Sequence, residues 1–440
     1  MCHSNFTHNK KYIGEITGEN LIKYDDNINK NMPMRSNFNI KQQIDDKSSH
    51  KDFELFDEND INKKIDCFDS GSDYSDVHNS MNKISSQNNP ISLCKCGIEY
   101  IGFYLLNNMI PIINKSFVIN TFSLYNIFGV LYIGSKDNSE IELKNYFSYP
   151  DKSIVIKGLS NLISNFTHFN SHIISNNYII ISNKLSYNSP LFTNLKTLSN
   201  LKIIDTNNPN IESNLLNILI NKLMGKTMKN MVTPDNLHNI DIILLNSTLI
   251  TPTWSIPFHY NEKGTFTNDN SPSKCNFMVS NGNTYDYYTN EHFQLLELNC
   301  SNNNLSMGIV LSKKTSLLKL SPDMIHYYIP KLKSTLLHKV KIPIFQTISK
   351  IRYTNFLKHT NLKNVFSDLH IPDLISDNCK LNDVIQNIEI IISNNSISPI
   401  INTNITKNLP SFIANSPFIY YFRYIPNNII IILGLYTNPC

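Results

Sequence analysis

The stretch IEIIISNNSISPIINTN, from Ile388 to Asn404, limits the fold more than any other part of the chain. Ile388, Ile390, Ile391 and Ile392 suit a β-strand covered on both faces. Ser393 to Ser398 reads as turn, and Pro399 lacks the N–H that a central strand needs. Apolar residues resume at Ile400 and Ile401. The stretch is either a strand with a disordered tail or a segment that extends the strand in a second conformation.

A core large enough to cover such a strand is available. The chain has 440 residues, room for one large domain or two ordinary ones, and 41% of them are hydrophobic. The asparagine, isoleucine and lysine bias runs throughout and reflects base composition before any prion-like character. A net charge of +4, from 39 basic and 35 acidic residues, is dispersed. It describes a solvated mixed surface and no nucleic-acid face. The eight cysteines include no Cys-x-x-Cys pair, and Cys94 and Cys96 are too close for zinc spacing, so unpaired thiols and no metal are expected.

No apolar run opens the chain, so no signal peptide is visible, and NIIIILGLY near the end is too short to span a bilayer. These features point to an intracellular protein with no membrane partner. The sequons, as at Asn165 and Asn246, are explained by abundant Asn and Ser.

Residues 1–92 are polar, with acidic patches such as DFELFDENDINKKIDCFD, and read as a disordered arm. From Leu93 the texture changes. GIEYIGFYLLNNMI has helical spacing, and SFVINTFSLYNIFGVLYIGS reads as a short strand running into a buried helix that ends at Gly134. YIIISNKL and LKIID read as strands, IESNLLNILINKLMGK as an amphipathic helix, and NIDIILLNSTLITPTW as a long buried strand. Strand-like runs follow, including NFMVSN, FQLLELNC, LSMGIVLS and HKVKIPIFQTI, and NVFSDLHIPDL reads as loop. Helices first and strands later is an α+β pattern in one domain, 93–440.

Motifs for catalysis fail on inspection. LINKLMGKT ends in Gly-Lys-Thr, but the upstream glycine of a phosphate loop would fall at Ile220, inside a helix. H-E-x-x-H, G-x-S-x-G and G-x-G-x-x-G are absent, and the histidines are scattered. No catalytic residue and no cofactor are expected; the chain does not read as an enzyme.

Several phrases, in order, resemble the serpin family. LLNSTLITPTW, Leu244 to Trp254, is similar to the serpin strand that passes through an asparagine and ends at a tryptophan. FQLLELNCSNNNLSMGIVLSKK resembles a family phrase in which Ser306 and Met307 match. VKIPIF followed by YTNFLKHTNLKNVFSDLHIPDL, the closing SPFIYYFRYIPNNIIIILGLYTNP, and the upstream FVINTFSLYNIFGVLYIGSKDNSEIEL are likewise similar. The resemblance covers about residues 93–440. It implies three β-sheets with surrounding helices and an exposed reactive-centre loop.

The resemblance also supplies a role for the opening stretch. Val384 to Ile392 becomes the fifth strand of the main sheet, and Ser393 to Phe412 the reactive loop. A serine (or cysteine) protease cleaves that loop and is trapped as an acyl-enzyme when the freed hinge inserts as a new strand. The implied protein is a monomeric serine-type endopeptidase inhibitor, extracellular by family habit.

Departures from the family gather at the hinge. Asn394 to Thr403 occupies the place of a small, alanine-rich segment. Ser396 stands in place of the glycine, Ile397 in place of the threonine, and Pro399 begins the run that replaces the alanines. Alanines insert with little loss of entropy, isoleucines need a groove, and Pro399 deletes a ladder donor at a cost of a few kcal/mol. The alternative is therefore a non-inhibitory binding module cleaved as a simple substrate.

At the gate beside Trp254, the family's lysine and glutamate are replaced by Ile344 and Asn394, which removes an ion pair but strands no buried charge. The family's central polar cluster maps to Asn120, Ser123, Asn246 and Gln386. The loop is about four residues shorter than in typical inhibitors, leaving Thr406, Lys407 and Pro410 as scissile candidates. Lys407 would suit a trypsin-like protease.

Overall fold

A computed structural model of the chain describes residues 15–16, 89–111, 113, 115–166, 172–223, 232–268, 271–314, 317–394 and 409–438. Within the 1–92 segment, Glu15–Ile16 forms a two-residue strand, β1. Helix α1 (Pro90–Met109) begins three residues ahead of the expected boundary at Leu93. Its start is fixed by Asn89, whose Oδ1 accepts the Ile91 N–H at 3.1 Å, and by Pro90 in the first turn, where no N–H is needed.

Strand β2 (Phe117–Asn120) runs directly into α2 (Thr121–Gly134), as expected, and every residue of α2 is buried. A helix apolar all round must lie between layers. Around it come α3 (Asp137–Phe147), α4 (Lys152–Phe166), β3 (Ile173–Ser182), α5 (Ser189–Asn194), β4 (Asn200–Ile204), α6 (Pro209–Leu223) and β5 (Ile242–Ile250). Then follow β6 (Tyr260–Asn268), β7 (Ser271–Thr289), β8 (Phe293–Asn299), β9 (Leu305–Ser312), α7 (Pro322–Tyr328), β10 (Lys333–Pro343) and β11 (Phe345–Arg352). The chain closes with α8 (Thr354–Lys358), α9 (Lys363–Ser367), β12 (Leu381–Ile392), β13 (Ser411–Ile413), β14 (Phe418–Tyr424) and β15 (Ile429–Tyr436). NVFSDLHIPDL, expected as loop, includes most of the short α9, which buries Val365 and Phe366.

Among the described residues the strands form two hydrogen-bonded sheets. The first has the order β1-β11-β12-β5-β3-β4. The second runs β13-β10-β7-β8-β9-β14-β15-β2, with β6 on β7. The 19-residue β7 passes unbroken between β10 and β8 and joins the strands on either side of it into one array.

The first sheet is covered on both faces, which explains its continuous isoleucine runs. One face, through Leu244, Ile388 and Ile390, joins the main core with α2 and the second sheet. The other packs Ile243, Leu245 and Ile385 against Leu216 and Ile220 of α6. No helix among the described residues is long and apolar enough to cross a membrane.

Candidate functional site

In the first sheet β12 pairs parallel with β5, from Leu381↔Ile242 to Ile390↔Ile250. Their outer neighbours run the other way: β11 is antiparallel to β12, and β3 is antiparallel to β5. The parallel β5–β12 seam is therefore flanked on each side by an antiparallel pair, β11–β12 and β3–β5. Strand β12 starts at Leu381, three residues before the expected Val384, and ends at Ile392 where the loop begins.

Trp254 holds the top of the seam. It lies just beyond β5, is 5% exposed, and its indole Nε1–H donates to the Ser393 carbonyl at 3.1 Å. Its ring meets Phe258 edge-on, with centroids 6.3 Å apart. Asn394 Nδ2 reaches Asn261 Oδ1 at 3.5 Å, a weak amide contact where the family has a charged pair. Ile344 links β10 to β11; its N–H donates to Asn276 O at 2.8 Å and its side chain packs on the core. Behind Trp254, buried His172 accepts the Thr253 N–H on Nδ1 at 3.3 Å, and burial lowers its pKa.

The loop's far end is pinned to the second sheet. Pro410 O accepts the His338 N–H at 2.8 Å, and β13 then pairs parallel with Lys339–Lys341 of β10. Phe412, expected within the loop, is fully buried in β13, so the loop ends at Pro410. Burying that ring contributes about 1.5–3 kcal/mol to the anchor. Beneath it, Lys339 and Lys341 hold the Glu262 carboxyl down to about 2, with contacts of 2.7 and 2.8 Å. Ser396, Ile397, Pro399, Thr406 and Lys407 lie outside the described residues.

Halfway down the seam the expected polar residues meet. Asn120 caps α2 by accepting the Ser123 N–H on Oδ1 at 2.9 Å, and its Nδ2 donates to Thr248 Oγ1 on β5 at 2.9 Å. Its backbone N–H donates to Gln386 Oε1 at 3.0 Å, and Gln386 Nε2 donates back to Asn120 O at 2.9 Å. One residue thus ties both banks of the seam.

Asn246 Nδ2 donates to Asn177 Oδ1 at 2.9 Å and to Ser175 Oγ at 3.1 Å, while Ser123 and Ser175 hydroxyls lie 2.8 Å apart. Ser175, Thr248 and Tyr353, whose hydroxyl donates to Gln386 Oε1 at 3.0 Å, were missing from the sequence reading. Thr248 lies two positions from Asn246 and so shares its face, a signal that was available. Ser175 requires the β3–β5 register, which no local pattern carries.

The opposite face of β12 is less satisfied. Glu389 is fully buried; Gln346 Nε2 donates to its Oε1, while its Oε2 and the Nδ2 of Asn387 have no partner among the described residues. At the base, Asp383 accepts from Arg352 Nε at 2.8 Å and from the Thr354 hydroxyl. Burial pushes the thiols of Cys94, Cys300 and Cys379 up to about 12, leaving them protonated and unreactive. No group of three or more His, Cys, Asp or Glu able to hold a metal occurs among the described residues.

The fold built around this seam agrees with comparisons to known proteins. Residues 99–439 match the family model for Serpin (serine protease inhibitor). No curated protein matches the chain. Among solved structures it is similar to native protease nexin-1 with heparin, at 17% identity and a TM-score of 0.72, over 80% of this chain and 100% of that one. Manduca sexta serine protease inhibitor (serpin)-12 aligns at 16% identity and 0.71, over 78% and 98%. Mouse protein-Z dependent protease inhibitor aligns at 17% identity and 0.71, over 80% and 98%. At these identities the structural likeness is one of fold.

Proposed function

The chain belongs to the serpin family, and from that premise we propose that it inhibits a serine-type endopeptidase by loop cleavage, acyl-enzyme trapping and strand insertion. The observation that carries this reading is the parallel β12–β5 pairing. A segment that leaves the top of β12 and turns back runs antiparallel to β12, and therefore antiparallel to β5 as well. It can exchange slanted parallel bonds for antiparallel ladders on both sides. The chain that leaves β12 at Ser393 is the loop itself.

In the proposed reaction, the protease's serine oxygen attacks a loop carbonyl and the peptide nitrogen departs with a proton. An ester then joins the enzyme to the hinge side of the loop. Insertion competes with hydrolysis of that ester, and a barrier higher by about 1.4 kcal/mol slows it tenfold. Serpins are generally inhibitors and not catalysts, and this chain is proposed to act as one, as a single copy. Two of the solved relatives are named as protease inhibitors. Pro410 lies at the anchored end of the loop, which favours Thr406 or Lys407 as the cleaved residue.

The hinge sequence favours a second reading. Ser396, Ile397 and Pro399 hinder insertion, and a slow hinge makes the protein a binding module that proteases merely cut. Incubation of the full chain with a panel of proteases, trypsin-like ones first because of Lys407, separates the two. A detergent-resistant complex containing both chains supports inhibition. Loop cleavage across the panel with no such complex establishes the binding reading instead.

A further inference from the structure

We propose that the outer edge of β11 is a docking surface for the chain's own N-terminal segment, Tyr12–Ile16, which adds a parallel strand to the first sheet and closes its edge. An edge strand presents a row of unpaired N–H and C=O groups, and extended segments of matching pattern add to such edges. The two-residue β1 stands there: Glu15 pairs with Lys350 and Ile16 with Ile351, in parallel, while β12 occupies the other side of β11. Neither loop cleavage nor strand insertion enters this inference.

Carrying the same register back along the chain sets Gly14 opposite Ser349, Ile13 opposite Ile348 and Tyr12 opposite Thr347. The two faces of β11 agree with that sequence. Ser349 Oγ accepts the Val118 N–H at 2.8 Å on the inner face, and Thr347 and Ile351 share its face and its burial. Tyr12, Gly14 and Ile16 take the positions beside them. On the other face Gln346 and Arg352 bond Glu389 and Asp383, and Ile348 and Lys350 lie between. There Ile13 takes the position beside Ile348, and acidic Glu15 the one beside Lys350, pairings that favour a ladder. A slip of one residue would move Glu15 to the buried face, so the pattern selects this register.

Chain length permits this docking and charge favours it. The 72 residues from Thr17 to Asn88 can extend to roughly 240 Å, against a radius of gyration of about 20 Å for a body of this size. Residues 45–76 hold eleven Asp and Glu against four Lys. Residues 345–367, which comprise β11, α8 and α9, hold four Lys and Arg and no acid. An acidic stretch tethered beside a basic surface adds a second, less directional attraction to the strand pairing. Because β1 pairs with β11 alone, the added strand is compatible with a closed or an open β5–β12 seam.

The test is amide hydrogen exchange of the full chain, read by mass spectrometry. Residues 12–16 should exchange about tenfold more slowly than the same residues in the synthetic peptide KKYIGEITG. In a parallel ladder alternate residues face the partner, so the adjacent pair Ile13→Pro and Gly14→Pro removes one donor whichever way the bonds alternate. That double variant should raise the exchange of β11 amides about tenfold and leave β14 and β15 unaltered. Glu15→Lys should act in the same direction, and adding Lys350→Glu should restore the protection. Exchange of residues 12–16 at the rate of the peptide overturns the proposal, as does β11 exchange indifferent to the two prolines. Protection of β11 that survives the prolines and rises with protein concentration overturns it as well, and assigns the edge to a second copy of the chain.

Discussion

Asn120 serves three functions at once. It caps α2, bonds Thr248 on β5, and exchanges backbone bonds with Gln386 on β12. Asn120→Ala should cost about 2–4 kcal/mol, adding a lost cap to orphaned buried partners, whereas Ser123→Ala should cost about 1 kcal/mol. Urea unfolding of both variants measures the difference, and equal losses would refute the bridging role. Asn120, Ser123, Asn246 and Gln386 were legible because the resemblance carried them; Ser175 and Tyr353 were not, since only strand register brings them in. Trp254 is the single tryptophan, so its emission reports the indole bond to Ser393. Cleavage followed by insertion should shift that emission, and an unchanged spectrum would leave the gate closed. His172 supplies a pH dependence. Its lowered pKa means that below about pH 6.5 the unfolded chain binds more protons than the folded one. Stability is full above that pH and falls as pH drops through the lowered value. His172→Gln should flatten the loss of stability below about pH 6.5 in thermal scans.

Among the elements, β12 and the segment after it decide between trapping and static binding. The isoleucine run was legible as a strand buried on both faces, and the two core clusters meet it from opposite sides. Its start at Leu381 was less legible, because Asn382 and Asp383 interrupt the apolar pattern while still lying in the ladder region. The end of the loop was misjudged for a similar reason. SFI is too short to announce a strand, and Phe412 is buried because β10 offers an edge there. The start of α1 was marked by Asn89 and Pro90, but apolar spacing drew attention further along. In the proposed insertion, Pro399 is the residue expected to oppose it most, because it lacks a ladder donor. Pro399→Ala restores a ladder donor, and each 1.4 kcal/mol it removes from the insertion barrier should raise trapping over hydrolysis about tenfold. The ratio of complex to cleaved protein on a denaturing gel measures it, and an unaltered ratio would show that the proline lies outside the inserted stretch.

Across the whole molecule, the seam, the gate and the β13 anchor describe one arrangement: a closed sheet whose strand β12 leads into a chain bonded at Ser393 and Asn394 on one side and at Pro410 on the other. One oxygen of fully buried Glu389 and the amide donor of Asn387, along the same seam, have no partner among the described residues. A strand entering between β5 and β12 replaces their one parallel ladder with an antiparallel ladder on each side, a net gain of about one ladder at about 0.5–1.5 kcal/mol per bond. The most direct measurement is thermal unfolding of the full chain before and after limited proteolysis confined to residues 393–410. Insertion of even a few ladder bonds should raise the unfolding temperature by about 5 °C or more. A cleaved protein that unfolds at the same temperature as the intact one, or below it, would contradict the account and leave the loop as a static binding surface.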